Sequence, residues 1–272
     1  MESTSEIKNE VGRWLGTMKL SWSTILTYRM NLALMIVAPP TIFLFIKLNL
    51  WSSILPRNGQ TTLLGYTNAS MMAYQGWVLL VTLATQAMTS HRIGDDIRLG
   101  RITASLLYPF DFWRSHASHF LALQGVMFII SSCGFLILWS FGVVQPIPLH
   151  NLALGIVISL LASTFWFCMN FTIGIAAFWL EEIWMFRAMI SLIGYVASGS
   201  IVPLTFFPEL AREIIYLSPF PLLSFLPVEA MLGRLENVGS AILLGVCWTV
   251  LMALAGAFLW KRGIKLYTAA GL

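Results

Sequence analysis

The chain reads as long apolar runs separated by short polar breaks. Six such runs stand out, at residues 31–50, 65–89, 116–141, 152–180, 188–203 and 238–260. A helix needs about 20 apolar residues to cross the hydrocarbon core of a bilayer, so the pattern predicts six transmembrane helices. A different periodicity precedes them. Ile7, Val11, Trp14, Met18, Trp22 and Ile25 recur every three or four residues, and at about 100° per residue they fall within an arc of roughly 80°. Lys8, Arg13 and Lys19 lie off that arc. Residues 5–28 therefore predict an amphipathic helix lying in the membrane interface.

The breaks carry the topology. Pro39-Pro40 falls inside the first run and should kink it or interrupt its hydrogen-bond ladder. Lys47, near the far end of that run, is expected to snorkel toward water. Pro56, Asn58 and Gly59 mark a turn after it. Residues 203–236 stay apolar but are cut by Pro203, Pro208, Pro219, Pro221 and Pro227. Neither half is long enough to span, which predicts a re-entrant hairpin of two short helices covered by protein or water. Residues 91–114 form a charged island containing Arg92, Asp95, Asp96, Arg98, Arg101 and Asp111.

Charge sets the orientation. With 58% hydrophobic and only 10% charged residues, and a mean hydropathy of +0.79, the whole of 1–272 is a single integral membrane domain. The net charge of +4 follows the positive-inside pattern rather than a nucleic-acid-binding one. Lys8, Arg13, Lys19, Arg29, Arg92, Arg98, Arg101, Arg114, Arg187, Lys261, Arg262 and Lys265 share one side, against Lys47, Arg57, Arg212 and Arg234 on the other. Both termini and the 91–114 loop are thus expected in the cytoplasm. Glu2, Glu6 and Glu10 precede any apolar core, so no cleavable signal peptide is expected and the first span acts as the membrane signal.

Most chemistry is missing. There is no GxxxxGK[ST], HExxH, GxSxG or GxGxxG. Cys133, Cys168 and Cys247 all sit in apolar runs and suggest neither metal nor disulfide. His116 and His119, three apart at the start of the third run, lack further ligands and read as interfacial histidines. Asp95-Asp96 reads as a helix-start signal, and Glu181-Glu182 as a loop pair. Tyr74, Gln75, Thr82 and Gln86 lie in the second run, where polar residues face other helices or a cavity rather than lipid.

Four features together resemble the permease subunit of a type-2 ABC exporter, in the group of ABC-2 family transporter proteins. An amphipathic helix precedes the first span. The loop after the second reads Asp96-Ile97-Arg98-Leu99-Gly100-Arg101-Ile102 and then Leu106-Leu107-Tyr108-Pro109, close to that group's D-I-R-x-G-R-I and L-L-x-P. The fifth span ends in Ser198-Gly199, Pro203-Leu204 and Phe207-Pro208, and a proline-broken hairpin precedes the sixth. The importer-type EAA loop is not matched, since Gly94, Asp95 and Asp96 occupy that place.

The resemblance implies a coupling helix within the loop, docking on a separate P-loop ATPase through Asp95, Asp96, Ile97, Arg98, Gly100, Arg101, Ile102, Leu106 and Pro109. Ile97, Ile102 and Leu106 would pack against it while Arg98 and Arg101 meet acidic or carbonyl groups. The amphipathic helix would brace the same subunit. The chain itself would bind no cofactor, ATP and magnesium residing on the ATPase. A second permease chain, identical or not, would pair with this one. A substrate path would run along the second and fifth spans past Tyr74, Gln75, Thr82, Gln86, Ser198 and Phe206, closed outside by the hairpin. Alternating access would move a lipophilic small molecule, lipid or peptide outward across a bacterial inner membrane. Two other readings compete. A secondary transporter or channel predicts charged or unwound residues near the midplane and an internal repeat, and no clear repeat is visible. A lipid-modifying enzyme predicts an interfacial cluster, for which only His116, His119 and Asp111 offer themselves.

Overall fold

The apolar runs fold as helices. In the computed structural model, which describes residues 2–55, 62–86, 90–103 and 111–267, the helices are α1 (Glu2–Thr27), α2 (Arg29–Leu32), α3 (Ala38–Ile54), α4 (Asn68–Thr85), α5 (Ser90–Arg98), α6 (Phe112–Ser140), α7 (Leu149–Ile175), α8 (Trp184–Ala197), α9 (Glu209–Leu217), α10 (Phe225–Met231) and α11 (Val238–Leu266). No strand occurs among the described residues beyond an isolated bridge between Leu63 and Tyr66. Among the described residues, three helices are long and apolar enough to cross a membrane: α6, α7 with its 3-10 extension to Phe178, and α11. At 1.5 Å per residue, α6 and α11 are each about 44 Å long. α8 is apolar but has only 14 residues.

The two prolines of the first run do not break it. The chain is helical from Arg29 to Ile54, but Ala33–Val37 adopts π geometry just ahead of Pro39-Pro40. Prolines at 39 and 40 offer no N–H to the carbonyls one turn back. The ladder shifts register instead, and the Ala38 N–H bonds the Ala33 carbonyl five residues back. Lys47 departs from the sequence expectation. It turns inward, 8% exposed, and its ammonium donates to the Ser200 carbonyl at 2.9 Å.

α4 is the buried axis of one half of the molecule. A capping box between Thr67 and Ser70 starts it, and almost all of 74–85 is buried. Its polar groups bond neighbouring backbone: Tyr74 Oη donates to the Gly199 carbonyl at 2.7 Å, Gln75 Nε2 to the Ile201 carbonyl at 3.2 Å, and Thr85 Oγ1 to the Leu223 carbonyl at 3.2 Å. Around it lie the proline-rich segment and α7. α9 is surface-exposed, whereas every residue of α10 is buried. Glu229 of α10 is 6% exposed and accepts from Tyr66 Oη at 3.4 Å, with the Arg234 guanidinium 5.1 Å from the Tyr66 ring. Replacing Tyr74 with Phe strands the buried Gly199 carbonyl. A loss of about 1–3 kcal/mol is expected, read as a lower melting midpoint in detergent; an unchanged midpoint would show that this bond holds nothing.

The other half is built on α7 packed against α11. In lipid, helix pairing draws on close contact and interhelical hydrogen bonds rather than on exclusion of water. Gly245, Gly256 and Gly263 put one small face of α11 against Leu161, Thr172 and Phe178 of the α7 strand of chain, with no room for a Cβ. Thr172 Oγ1 also bonds the Met252 carbonyl at 3.1 Å. The near ends of α6, α7 and α11 form an aromatic stack, with Phe112 on Trp260 at 4.8 Å. α5 sits on this stack.

Candidate functional site

α5 is anchored by its apolar face. Ile93 and Ile97, with Ile102 just beyond, are 0%, 5% and 0% exposed and lie in one core with Phe171 and Ile175. The helix stops at a glycine: Gly100 has φ +71°, Leu99 N–H bonds the Asp95 carbonyl at 2.9 Å, and Gly100 N–H bonds the Ile97 carbonyl at 3.3 Å. A left-handed residue at this point is the usual way to end a helix, and glycine takes it without strain. The chain then turns back, and Thr103 N–H bonds the Gly100 carbonyl at 3.2 Å.

The charges converge on this turn. Arg98 pairs at 3.0 Å with Glu182 of the α7–α8 connection. Arg101 pairs with Asp96 at 3.5 Å, and His116 Nε2 lies 3.5 Å from the other Asp96 oxygen. Asp95 and Asp96 are in the last turn of α5, not at a helix start as the sequence suggested. Carboxylates there oppose the helix dipole, and basic neighbours compensate them. Besides Arg101 near Asp96, Arg187 faces Asp95: burial pulls its guanidinium down and the carboxylate opposes that shift. Glu182 was legible only as half of a loop pair. His116 is 6% exposed and edge-on to Phe112 at 4.3 Å.

Ile97 and Ile102 are therefore spent on the chain's own core. Among the described residues of the turn, the apolar side chain presented outward is Leu99, 62% exposed between two arginines. Leu106 and Pro109 lie outside the described residues. A contact that the sequence did not signal ties the turn to the end of α11: Tyr267 Oη donates to the Gly100 carbonyl at 3.1 Å and sits 2.7 Å from Thr103 Oγ1.

α1 docks beside this cluster along the first half of α6. Glu10 pairs with Arg114, Trp22 Nε1 donates to the Ala122 carbonyl at 2.6 Å, and Trp14 meets Trp113 edge-on at 6.5 Å. The docked face is rotated from the apolar arc read in the sequence, since it includes Thr17 and buried Ser21. Val11, Leu15, Trp22 and Leu26 remain as an exposed apolar strip.

A cavity of about 410 Å³ opens between α3, α4 and α8. Of the residues expected along a substrate path, Thr82 and Gln86 line it. Tyr74 and Gln75 instead tie α4 to the 199–201 turn, Ser198 is buried within that turn, and Phe206 packs on Trp51 at 5.5 Å and Tyr66 at 5.7 Å. Lys47, Tyr195 and Ser200 line the cavity and were not read from the sequence as part of a path. Lys47 looked like a helix-end residue; only the fold of the 198–201 turn over it reveals its place.

Long apolar helices around buried, backbone-satisfied polar side chains define a multi-pass membrane protein. The chain belongs to the ABC-2 family transporter proteins, whose family model matches residues 41–271. It is a membrane-transport permease, of a family whose permeases work with an ATPase subunit. The match begins within α3, so α1 lies outside it. A search of curated proteins returned no match.

Proposed function

We propose that this chain is the membrane subunit of an ATP-driven exporter. It spans a bacterial inner membrane six times with both termini cytoplasmic, pairs with a second permease chain, and moves a lipophilic small molecule, lipid or peptide outward. The α5 turn docks on a separate ATPase that carries ATP and magnesium. The observation that carries this reading is the turn itself: Arg98, Leu99 and Arg101 face outward, while the backbone beneath them is held by Ile93, Ile97, Ile102 and Tyr267. A push on the exposed side chains passes to α7 and α11 rather than being lost in a loose loop. Nucleotide drives transport only if it favours one permease arrangement over another. The uncovered strip of α1 is the face that meets lipid, and the proline-broken segment closes the outer side of a path along α4 and α8.

A photocrosslinking residue at Leu99, irradiated in native membranes, tests this. Capture of a P-loop ATPase is expected; capture of no nucleotide-binding protein contradicts the reading. An ATPase-independent transporter is the second reading, favoured by buried Lys47 and the π turn at Ala33–Val37. It predicts transport that survives removal of ATP.

A further inference from the structure

The cavity between α3, α4 and α8 has a chemical asymmetry. Its walls are mostly apolar: Ile36, Phe43, Val78, Leu79, Leu83 and Leu192 contribute. At about 410 Å³ it falls within the usual range of small-molecule sites, roughly 300–1,000 Å³. One full charge enters it, that of Lys47. The residue is 8% exposed, its ammonium donates to the Ser200 carbonyl, and no carboxylate pairs with it among the described residues. The Phe43 ring centroid is 5.9 Å from the ammonium. An ammonium held away from water without a counter-charge is costly, and an ammonium can donate three hydrogen bonds. On the α4 side of the cavity, the Thr82 hydroxyl is buried with no hydrogen-bond partner among the described residues. An ammonium with spare donor capacity and an unpartnered hydroxyl thus border an apolar hollow.

The mouth of the hollow indicates where a ligand comes from. Phe43, Leu192 and Tyr195, which line it, are 48%, 67% and 45% exposed. They belong to the apolar exposed faces of α3 and α8, so on the six-span reading the cavity opens sideways toward the hydrocarbon phase.

We propose that this cavity binds a single-chain, lipid-like anion drawn from the bilayer. Lys47 is the ligand of its carboxylate or phosphate head, Thr82 a second donor, and the wall from Ile36 to Phe43 and from Val78 to Leu83 the seat of its chain. This names a substrate class for the path along α4 and α8 and rests on the exporter reading only for what happens to the ligand afterwards. Binding requires neither the ATPase nor nucleotide.

The test uses the purified full chain in phosphatidylcholine nanodiscs with a photoactivatable diazirine analogue of palmitate. Irradiation followed by peptide mapping is expected to label α3 and α4 saturably, with competition by palmitate or hexadecyl phosphate and none by hexadecanol. Lys47→Met is expected to reduce the labelling at least tenfold, and Lys47→Arg to retain most of it. Thr82→Leu, which fills the hollow and leaves the lysine in place, is expected to reduce it as well, which guards against a Lys47→Met chain that misfolds. Label spread evenly over all lipid-facing helices, equal competition by hexadecanol, or undiminished labelling in both Lys47→Met and Thr82→Leu would overturn the proposal. Such a failure leaves the Leu99 crosslink untouched, and a failed crosslink leaves the labelling untouched, so the two readings fall separately.

Discussion

Reversing both arginines of the α5 turn, Arg98→Glu with Arg101→Glu, is expected to lower recovery of the ATPase subunit more than tenfold while membrane insertion is unchanged. The two effects separate because the intrachain bridges are weak. Both arginines are largely exposed, at 42% and 62% of the side chain, and exposed pairs are worth about 0.2–1 kcal/mol. Removing them leaves the packing of Ile93, Ile97 and Ile102 in place. At a protein interface, loss of one partner of a desolvated charge pair costs about 2–5 kcal/mol, enough for the tenfold loss or more. A charge swap refines the result. Arg98→Glu combined with Glu182→Arg can rebuild the internal bridge; if that alone restores docking, the bridge is what matters, whereas persistent loss places Arg98 against the partner. Unchanged co-purification of the doubly reversed chain would sink the assignment.

Gly100→Val is expected to uncouple the complex: ATP hydrolysis by the purified assembly should fall severalfold, to the level of the ATPase alone. The cause is the backbone. Gly100 sits at φ +71°, where an L-residue costs about 1–2 kcal/mol and a β-branched one is a strong outlier. A Cβ at this position would meet only Tyr267 Oη, at an ordinary 3.5 Å, so crowding is not the reason. Two substitutions separate the explanations. Gly100→Asn tolerates the left-handed conformation and should keep most of the activity, while Gly100→Ala should fall between. Normal hydrolysis in the valine variant would show that the turn need not close in this form.

What the sequence could disclose was what periodicity and punctuation encode. α6, α7 and α11 follow from long apolar runs, α1 from its three-to-four spacing, and the two short helices α9 and α10 from prolines that confine helix starts. The helix ending at Gly100 was marked by a motif whose glycine has a backbone reason. Local patterns do not say which face of a helix another segment will cover. Lys47 looked like a residue reaching for water because nothing near it in sequence shows that the 198–201 turn folds over it. The apolar arc of α1 was visible, but its docking on α6 is decided by Glu10–Arg114 and the Trp22 hydrogen bond, contacts about a hundred residues apart. Tyr267 over Gly100 joins residues 167 apart. Ile97 and Ile102 were legible as apolar, but not as facing the chain's own core, with Leu99 exposed between them.

The central claim is that this permease works through a separate ATPase gripped at the α5 turn. Affinity purification of the chain from its native membrane in mild detergent, with mass spectrometry of what accompanies it, addresses that claim with the fewest assumptions. The account predicts a P-loop ATPase at roughly equal abundance, lost when residues 95–101 are mutated. Absence of any ATPase, repeated under cross-linking, would contradict it and shift the mechanism to the buried charge of Lys47 and the polar residues of α4.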